Sequence, residues 1–181
     1  MTCAAPSTTP SLATHLLLPT DLITDWRTAT KTKPIKAKHI QHLFADNSVL
    51  SKFLLATLEG QQMLKANSMV CVGVDGDAWQ QTQDKLLKKY KVASVDEGGW
   101  LVCEPHPDNE VDCYDTMQPF MTVEQTGPGF AIKGHWGERQ SDGTFVQFGE
   151  WGDFICRNKT DLTDLWIVRR SFFNSTYEIK A

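Results

Sequence analysis

The sequence has no excess of positive charge, no long apolar run and no paired cysteine motif. Its formal net charge is −4, and the longest early apolar run is only Leu16-Leu17-Leu18. Proteins dedicated to nucleic acids or to membrane surfaces hold phosphates with positive charge, so we expect neither as a partner. We also expect no membrane span and no secretion signal, because the required apolar stretches are missing.

The cysteines are too few and too scattered for a disulfide framework. They number five, and they stand at Cys3, Cys71, Cys103, Cys113 and Cys156. An odd number at wide spacing fits reduced thiols, which predicts a cytoplasmic protein. Three of them directly follow Val or Ile in apparent strands, where a buried thiol packs well and is chemically inert.

What the chain does have is 41% hydrophobic residues, enough to build a buried core. We predict an α+β fold, mainly antiparallel β, with two related small barrel-like units that each end in a short helix. The predicted organisation is a disordered tail (1–14), an N-terminal helical docking segment (15–33), a first β-rich unit (34–92), a connector with a strand and an acidic Pro-rich loop (93–127), and a second β-rich unit (128–181).

Local patterns place the main elements. Leu22, Ile23 and Trp26 share one face of a predicted helix in the docking segment. The segment 53–64 fits either a helix or a hairpin that turns at Gly60, and its aromatic-rich counterpart at 143–151 favours the hairpin. Short helices are predicted over 83–90 and 172–177, with Thr82 and Ser171 as their respective caps.

The two predicted units share a spacing of aromatic and acidic residues. Trp79 precedes Tyr90 by eleven positions, as Trp166 precedes Tyr177, and an aspartate stands two positions before each tryptophan. A large apolar residue, Leu86 or Phe173, also stands four positions before each tyrosine. This spacing predicts an internal duplication. The simpler alternative is that both segments happen to have the same order of strand, turn and helix.

Three short motifs in the second unit carry a family resemblance: Gly152-Asp153-Phe154, Asp164-Leu165-Trp166, and Phe173 followed by Tyr177-Glu178. With them the chain resembles the PGDYG family, best over 128–179 and more weakly over 34–92, where Asn67-Ser68-Met69 replaces Gly-Asp-aromatic. The resemblance implies a compact β-rich module, common in bacteria and phages, with no settled activity.

The stretch around Gly134 to Arg139 has the composition of a ligand site. Glycines let the backbone approach a ligand, while an indole, an imidazole and a guanidinium offer stacking, hydrogen bonds and charge. A hairpin with packed aromatics is the structural alternative. The predicted ligand-binding residues are His135, Trp136, Arg139, Trp151, Asp153 and Asp164.

These features predict a non-catalytic cytoplasmic binding or adaptor module, of phage or accessory type, that presents an inter-unit groove to a protein or small molecule. We expect it to be a monomer or homodimer with no cofactor. One alternative is a small enzyme that uses His135, Arg139 and a carboxylate in the cleft; Asp77 and Asp164 would pair as acid and base if the units face each other. A second is a zinc-stabilised interaction domain built on residues 103–113.

Overall fold

Antiparallel β structure dominates the protein. The computed structural model describes residues 10–44, 52–57, 60–118, 124–135 and 137–181. The strands in these ranges are β1 (Leu16–Leu17), β2 (Arg27–Lys31), β3 (Ile35–His39), β4 (Leu54–Thr57), β5 (Gly60–Met63), β6 (Met69–Val72), β7 (Ala78–Gln81), β8 (Tyr90–Val95), β9 (Leu101–Pro105), β10 (Glu110–Asp115), β11 (Gly129–Gly134), β12 (Glu138–Arg139), β13 (Phe145–Glu150), β14 (Phe154–Asn158), β15 (Leu165–Val168) and β16 (Tyr177–Ile179). With two short helices, α1 (Gln83–Lys89) and α2 (Arg170–Thr176), this confirms the predicted α+β class.

The strands form three larger sheets and one hairpin. Sheet I has the order β7-β6-β3-β9-β8, sheet II has the order β15-β14-β10-β2-β16, and a four-stranded sheet has the order β1-β11-β13-β12. All of the pairings are antiparallel except that of β1 with β11. The predicted hairpin at Gly60 is confirmed, because β4 and β5 pair from Thr57 opposite Gly60 outward.

Sheets I and II have the same arrangement of elements. In each, two antiparallel strands, a seven-residue helix and a further strand follow one another in the chain, and the last strand lies at the opposite edge of the sheet from the second. Trp79 is the register partner of Cys71, and Trp166 that of Cys156. No sheet in the described ranges closes on itself, so barrel-like units are not confirmed, and the duplication stays a prediction.

The predicted helical docking segment is instead extended. Residues 15–33 contain β1, a single 3-10 turn at Thr20–Leu22, and β2. Strand β2 lies inside sheet II between β10 and β16, with Ala29 fully buried. Ile23 and Trp26 pack as non-helical residues into the core between sheet II and the four-stranded sheet, so their helix-like spacing misled the prediction.

The predicted domain boundaries do not coincide with the sheets. The segment 93–127, expected to be a connector, supplies β9 to sheet I and β10 to sheet II. Strand β2, which precedes the first predicted unit, belongs to sheet II together with the end of the chain. The tail assigned to 1–14 lies outside the described residues except for 10–14, which form a turn.

Sheet II is buried on both faces, and alternate residues enter different cores. Tyr114 and Ile155 are register partners that contribute to the core shared with the four-stranded sheet. Their neighbours Cys113 and Cys156 contribute to the core under α2, where Phe173 is 1% exposed. This alternation follows from the two-residue period of a strand.

The two helices begin differently. Thr82 caps α1 as predicted, because its hydroxyl accepts a hydrogen bond from the Lys85 amide at 3.3 Å. The cap predicted at Ser171 is wrong: α2 already begins at Arg170, whose amide donates to Asp153 Oδ1 at 3.2 Å. No helix in the described ranges has the length and apolar character needed to cross a membrane.

Phe173 anchors α2 on sheet II through a stack of three rings. Its ring centroid lies 3.8 Å from that of Phe154 and 4.9 Å from that of Tyr177, and both pairs are nearly parallel. Truncation of a buried aromatic removes its contacts and leaves a cavity, so we expect Phe173→Ala to lower the free energy of unfolding by about 3–5 kcal/mol. Urea unfolding measures this loss. Exposed Asn174 on the same helix provides the control Asn174→Ala, and equal effects of the two substitutions would contradict the packing described.

Candidate functional site

A cavity of about 260 Å³ lies between sheets I and II. Strands β7 and β15, helices α1 and α2 and the end of β2 contribute to its walls. Five aromatic side chains line it: Trp79, Tyr90, Trp166, Phe172 and Tyr177. Five charged side chains also line it: Lys31, Lys85, Lys89, Asp77 and Asp164. The residues that share the Asp-x-Trp and Trp-to-Tyr spacing in the sequence therefore meet in one place.

Lys31 is the central cation of this cavity. It ends β2 as the register partner of Tyr177, and its Nζ lies 4.8, 5.7 and 5.9 Å from the ring centroids of Trp79, Tyr177 and Tyr90. These distances are in the range of cation–π attraction. In the described part of the chain, Nζ has neither a hydrogen bond nor an ion pair. Burial lowers the pKa of Lys31, and the nearby Asp77 carboxylate opposes that shift.

Asp77 lines the same cavity, and one of its carboxyl oxygens is buried against Gly73. Its Oδ1 is buried and has no hydrogen-bond partner among the described residues. Burial raises the pKa of Asp77, against the attraction of Lys31. Gly73 makes room for this carboxylate, since a Cβ built on Gly73 would lie 1.9 Å from Asp77 Oδ1. The absence of a side chain at Gly73 thus lets the Asp77 carboxyl group pack against the loop before β7.

Lys89 repeats the arrangement of Lys31 on the opposite wall. Its Nζ lies 5.8 Å from the ring centroid of Trp166. Burial lowers the pKa of Lys89, and Asp164 opposes that shift. Lys31 belongs to sheet II and lies over Trp79 of sheet I. Lys89 belongs to α1, which connects two strands of sheet I, and lies over Trp166 of sheet II. The two lysines therefore cross the gap between the sheets in opposite directions.

The thiols near the cavity are not suited to nucleophilic catalysis. Cys71 and Cys156 are fully buried. Burial raises the pKa of Cys71 to about 11 and also raises that of Cys156. Both thiols therefore stay protonated at neutral pH, which agrees with the inert role expected from their positions in strands.

Only one of the predicted ligand-binding residues, Asp164, lines the cavity. Trp151 and Asp153 lie in a separate shallow hollow beside Arg169 and Arg170. His135 and Arg139 are exposed, and Trp136 lies outside the described residues. The structure thus does not bring the predicted set together.

Asp153 and Trp151 have structural contacts. Asp153 accepts hydrogen bonds from the amides of Glu150 and Arg170 at 3.0 and 3.2 Å. The Trp151 ring lies 5.4 Å from that of Phe130, and its Nε1 donates to the Thr126 carbonyl at 3.3 Å. Gly152 between them has a φ of +109°, a conformation that favours glycine, as expected for a turn before a strand.

His135 takes part in an exposed chain of hydrogen bonds. Its Nε2 lies 2.9 Å from Thr163 Oγ1, which in turn donates to Asp161 Oδ1 at 2.6 Å. All three side chains are on exposed residues, and none of them lines the cavity. The enzyme alternative based on His135 and Arg139 therefore has no cleft in which these groups meet a carboxylate.

The segment 103–113 does not assemble a metal site. Cys103 lies in the core of sheet I and Cys113 in that of sheet II, so their thiols are separated. His106 Nε2 faces the Leu87 carbonyl at 3.2 Å. Within the described ranges, no group of three or more His, Cys, Asp or Glu side chains could hold a metal ion. The zinc alternative finds no ligand set there.

The sequence contained one signal for the cavity and no signal for its central residue. The shared spacing of Asp77, Trp79 and Tyr90 with Asp164, Trp166 and Tyr177 indicated corresponding positions that the structure brings together. Lys31 stands next to Thr32-Lys33-Pro34 and reads as a surface lysine. Only the long-range pairing of β2 with β16 shows that it is covered.

Comparisons of the chain with protein-family models, with curated proteins and with solved structures found no match. The resemblance to the PGDYG family therefore stays a prediction. Any function has to be argued from the cavity itself.

If Asp153 is a structural residue, its removal will destabilise the fold. We expect Asp153→Ala to lower the free energy of unfolding by about 1–2 kcal/mol, because the start of α2 and the Glu150 amide lose their acceptor. Urea unfolding measures the effect, and Asp108→Ala in an exposed turn is the control. An unchanged free energy of unfolding in Asp153→Ala would contradict this structural role, and Asp153 would again be a candidate ligand contact.

The buried position of Lys31 predicts a pH-dependent stability. Its pKa in the folded state lies below 10.5, the usual pKa of a lysine in the unfolded chain. At pH values between the folded-state pKa and 10.5, the unfolded chain therefore binds more protons than the folded chain. Wild-type stability should therefore rise relative to that of Lys31→Met as pH increases from 7 to 10. Urea unfolding of both proteins measures this, and subtraction of the two curves cancels titrations that they share. A difference that is constant with pH would contradict the desolvation of Lys31.

Proposed function

We propose that the protein binds a small acidic molecule in the cavity between sheets I and II. The observation that carries this proposal is the Lys31 ammonium group, which lies among three rings without a hydrogen bond or ion pair to any described residue. The nearby Asp77 carboxylate offsets the desolvation of this cation only in part, because the pKa of Lys31 is lowered on balance. An anionic ligand group would supply the missing partner.

The charges around the cavity favour the same ligand class. Lys31 and Lys89 lie over tryptophan rings on the two walls of the cavity, and the ammonium of Lys89 lowers the pKa of Lys31. The fields of these two neighbouring cations add inside the cavity. An anion therefore enters with a favourable potential, whereas a cation would have to displace the contacts of Lys31 with the rings.

The size and the rings indicate a small, flat molecule. A volume of about 260 Å³ lies just below the range of about 300–1,000 Å³ that is usual for ligand pockets. A folded peptide segment is too large for it. Trp79, Trp166, Tyr90 and Tyr177 offer apolar ring surfaces against which a planar ligand can pack. Of the two partner classes left open by the sequence, the cavity favours the small molecule.

Asp77 favours a ligand that carries a hydrogen-bond donor. Its carboxyl group lines the cavity beside Lys31, where it can accept a hydrogen bond from a bound molecule. A hydroxyl or amine on the ligand would be such a donor. We therefore expect a planar acid that carries an O–H or N–H group.

Binding of 4-hydroxybenzoate, compared with its neutral analogue 4-hydroxybenzamide, tests the proposal by isothermal titration calorimetry. We expect the acid to bind more tightly than the amide. We expect Lys31→Met to weaken binding of the acid by about tenfold or more, since a hydrogen bond to a charged group is worth about 1.5–3 kcal/mol. Lys89→Met should weaken it less, because Lys89 lies over one ring of the cavity, whereas Lys31 lies among three.

Lys88→Met is the matched control, since Lys88 is exposed on the same helix and does not line the cavity. It should bind like the wild type. Equal binding of acid and amide, or full binding by Lys31→Met, would contradict the proposal. The absence of any heat with a folded wild-type protein and a panel of such acids would contradict it as well.

A further inference from the structure

We propose that Lys31 captures a carbonyl-bearing ligand as a reversible imine, with the Asp77 carboxyl group as the proton carrier. This inference rests on the proposed function, because the carbonyl compound has to enter the same cavity. It goes further in naming a covalent step, the atom that carries it out and a more specific ligand class.

The surroundings of Nζ suit a nucleophilic amine. Trp79, Tyr90 and Tyr177 surround it at 4.8–5.9 Å and limit its contact with water. No acceptor among the described residues holds its protons, and the cavity leaves room beside it for a ligand. Lysines desolvated in apolar pockets, or placed near another cation, are activated in this way for attack on carbonyl groups.

Some of the groups that face Lys31 lower its pKa and others raise it. Burial lowers the pKa of Lys31, and the ammonium of Lys89 on α1 lowers it further. The Asp77 carboxylate from the loop before β7 opposes these effects, and Cys71 on β6 and Cys156 on β14 do so more weakly. The net result is a lowered pKa, so a larger fraction of neutral amine is present than for a solvated lysine.

The step balances without an added oxidant or reductant. The Nζ lone pair forms a bond to the carbonyl carbon while the carbon–oxygen π pair moves to oxygen. A proton passes from nitrogen to that oxygen, which gives a carbinolamine. Protonation of the hydroxyl by a carboxylic acid then breaks the carbon–oxygen bond, water leaves, and the carbon–nitrogen double bond forms.

Asp77 has the properties of the proton carrier. Burial raises its pKa, so its carboxyl group holds a proton at a higher pH than a solvated aspartate does. Its carboxyl group lines the cavity together with Lys31. Titratable groups with perturbed pKa values that share a cleft are typical of functional sites.

The remaining charges select the kind of carbonyl compound. Once Lys31 is joined to the carbonyl carbon, Lys89 still faces the cavity and can meet a carboxylate. Lys89 is the weaker candidate for imine formation, because among the described residues one ring lies over it at cation–π distance, whereas three rings surround Lys31. The preferred ligand is therefore a small oxo acid, that is, an aldehyde or ketone with a carboxylate.

Borohydride trapping with 4-formylbenzoate tests this inference on the full chain. Borohydride supplies hydride to the carbon–nitrogen double bond and fixes an imine as a secondary amine, which intact mass and peptide mapping then locate. We expect one main adduct at Lys31, at least about tenfold above that on exposed Lys88, and a lower yield with neutral benzaldehyde. Labelling in proportion to exposure would overturn the inference.

Lys31→Arg separates the inference from the proposed function, since arginine keeps the positive charge but forms no such imine. We expect this variant to give no adduct at residue 31, although the positive charge is still present. An adduct of unchanged yield in Lys31→Arg would overturn the inference. If benzoate binds to the wild type but no adduct forms, the imine fails and the binding function stands; if neither occurs, both fail.

Two variants address Asp77 by different means. Asp77→Asn removes the acid, and Gly73→Ala keeps it but displaces it, because the new Cβ would occupy the position of Oδ1. We expect both to slow adduct formation by about a hundredfold, the lower end of general acid–base effects, and to retain benzoate binding. Unchanged rates in both variants, with circular dichroism spectra like that of the wild type, would overturn the role of Asp77.

Discussion

The ammonium group of Lys31, held between two sheets with little water, is the constraint on which the rest of the site depends. Apolar packing between sheets I and II would be the simpler way to join them, because removal of a charge from water is expensive and cation–π contacts return only about 0.5–2 kcal/mol each. The protein instead places a lysine from each side over a tryptophan of the other. Departures from favourable packing are expected where function requires them.

A row of stacked side chains connects Lys31 to residues outside the cavity. Arg170 lies over the Phe154 ring, Phe154 stacks on Phe173, Phe173 stacks on Tyr177, and Tyr177 faces Lys31. Helix α2 contributes the middle of this row, so its seating on sheet II fixes one wall of the cavity. The aromatic spacing of the second unit is thus explained by packing and by the site at once.

Local signals were sufficient for much of the fold. The Thr82 cap and the hairpin at Gly60 follow from a few neighbouring residues, and both were predicted. Strand β2 was missed because Leu22, Ile23 and Trp26 have helix-like spacing, while the pairing that makes residues 27–31 a strand is long-range. For the same reason Lys31 could not be predicted as a site residue. The glycines around His135 indicated a turn, and composition alone did not distinguish an exposed turn from a ligand loop.

The pairing of Tyr177 with Lys31 also sets an order of events during synthesis. Strand β2 leaves the ribosome before one of its two neighbours, β16, has been made. Until then Lys31 remains hydrated and one edge of β2 stays open to other chains. Contacts between such distant segments slow folding, so the nascent protein spends time with an unprotected strand. Completion of the cavity and protection of that edge are therefore a single late step.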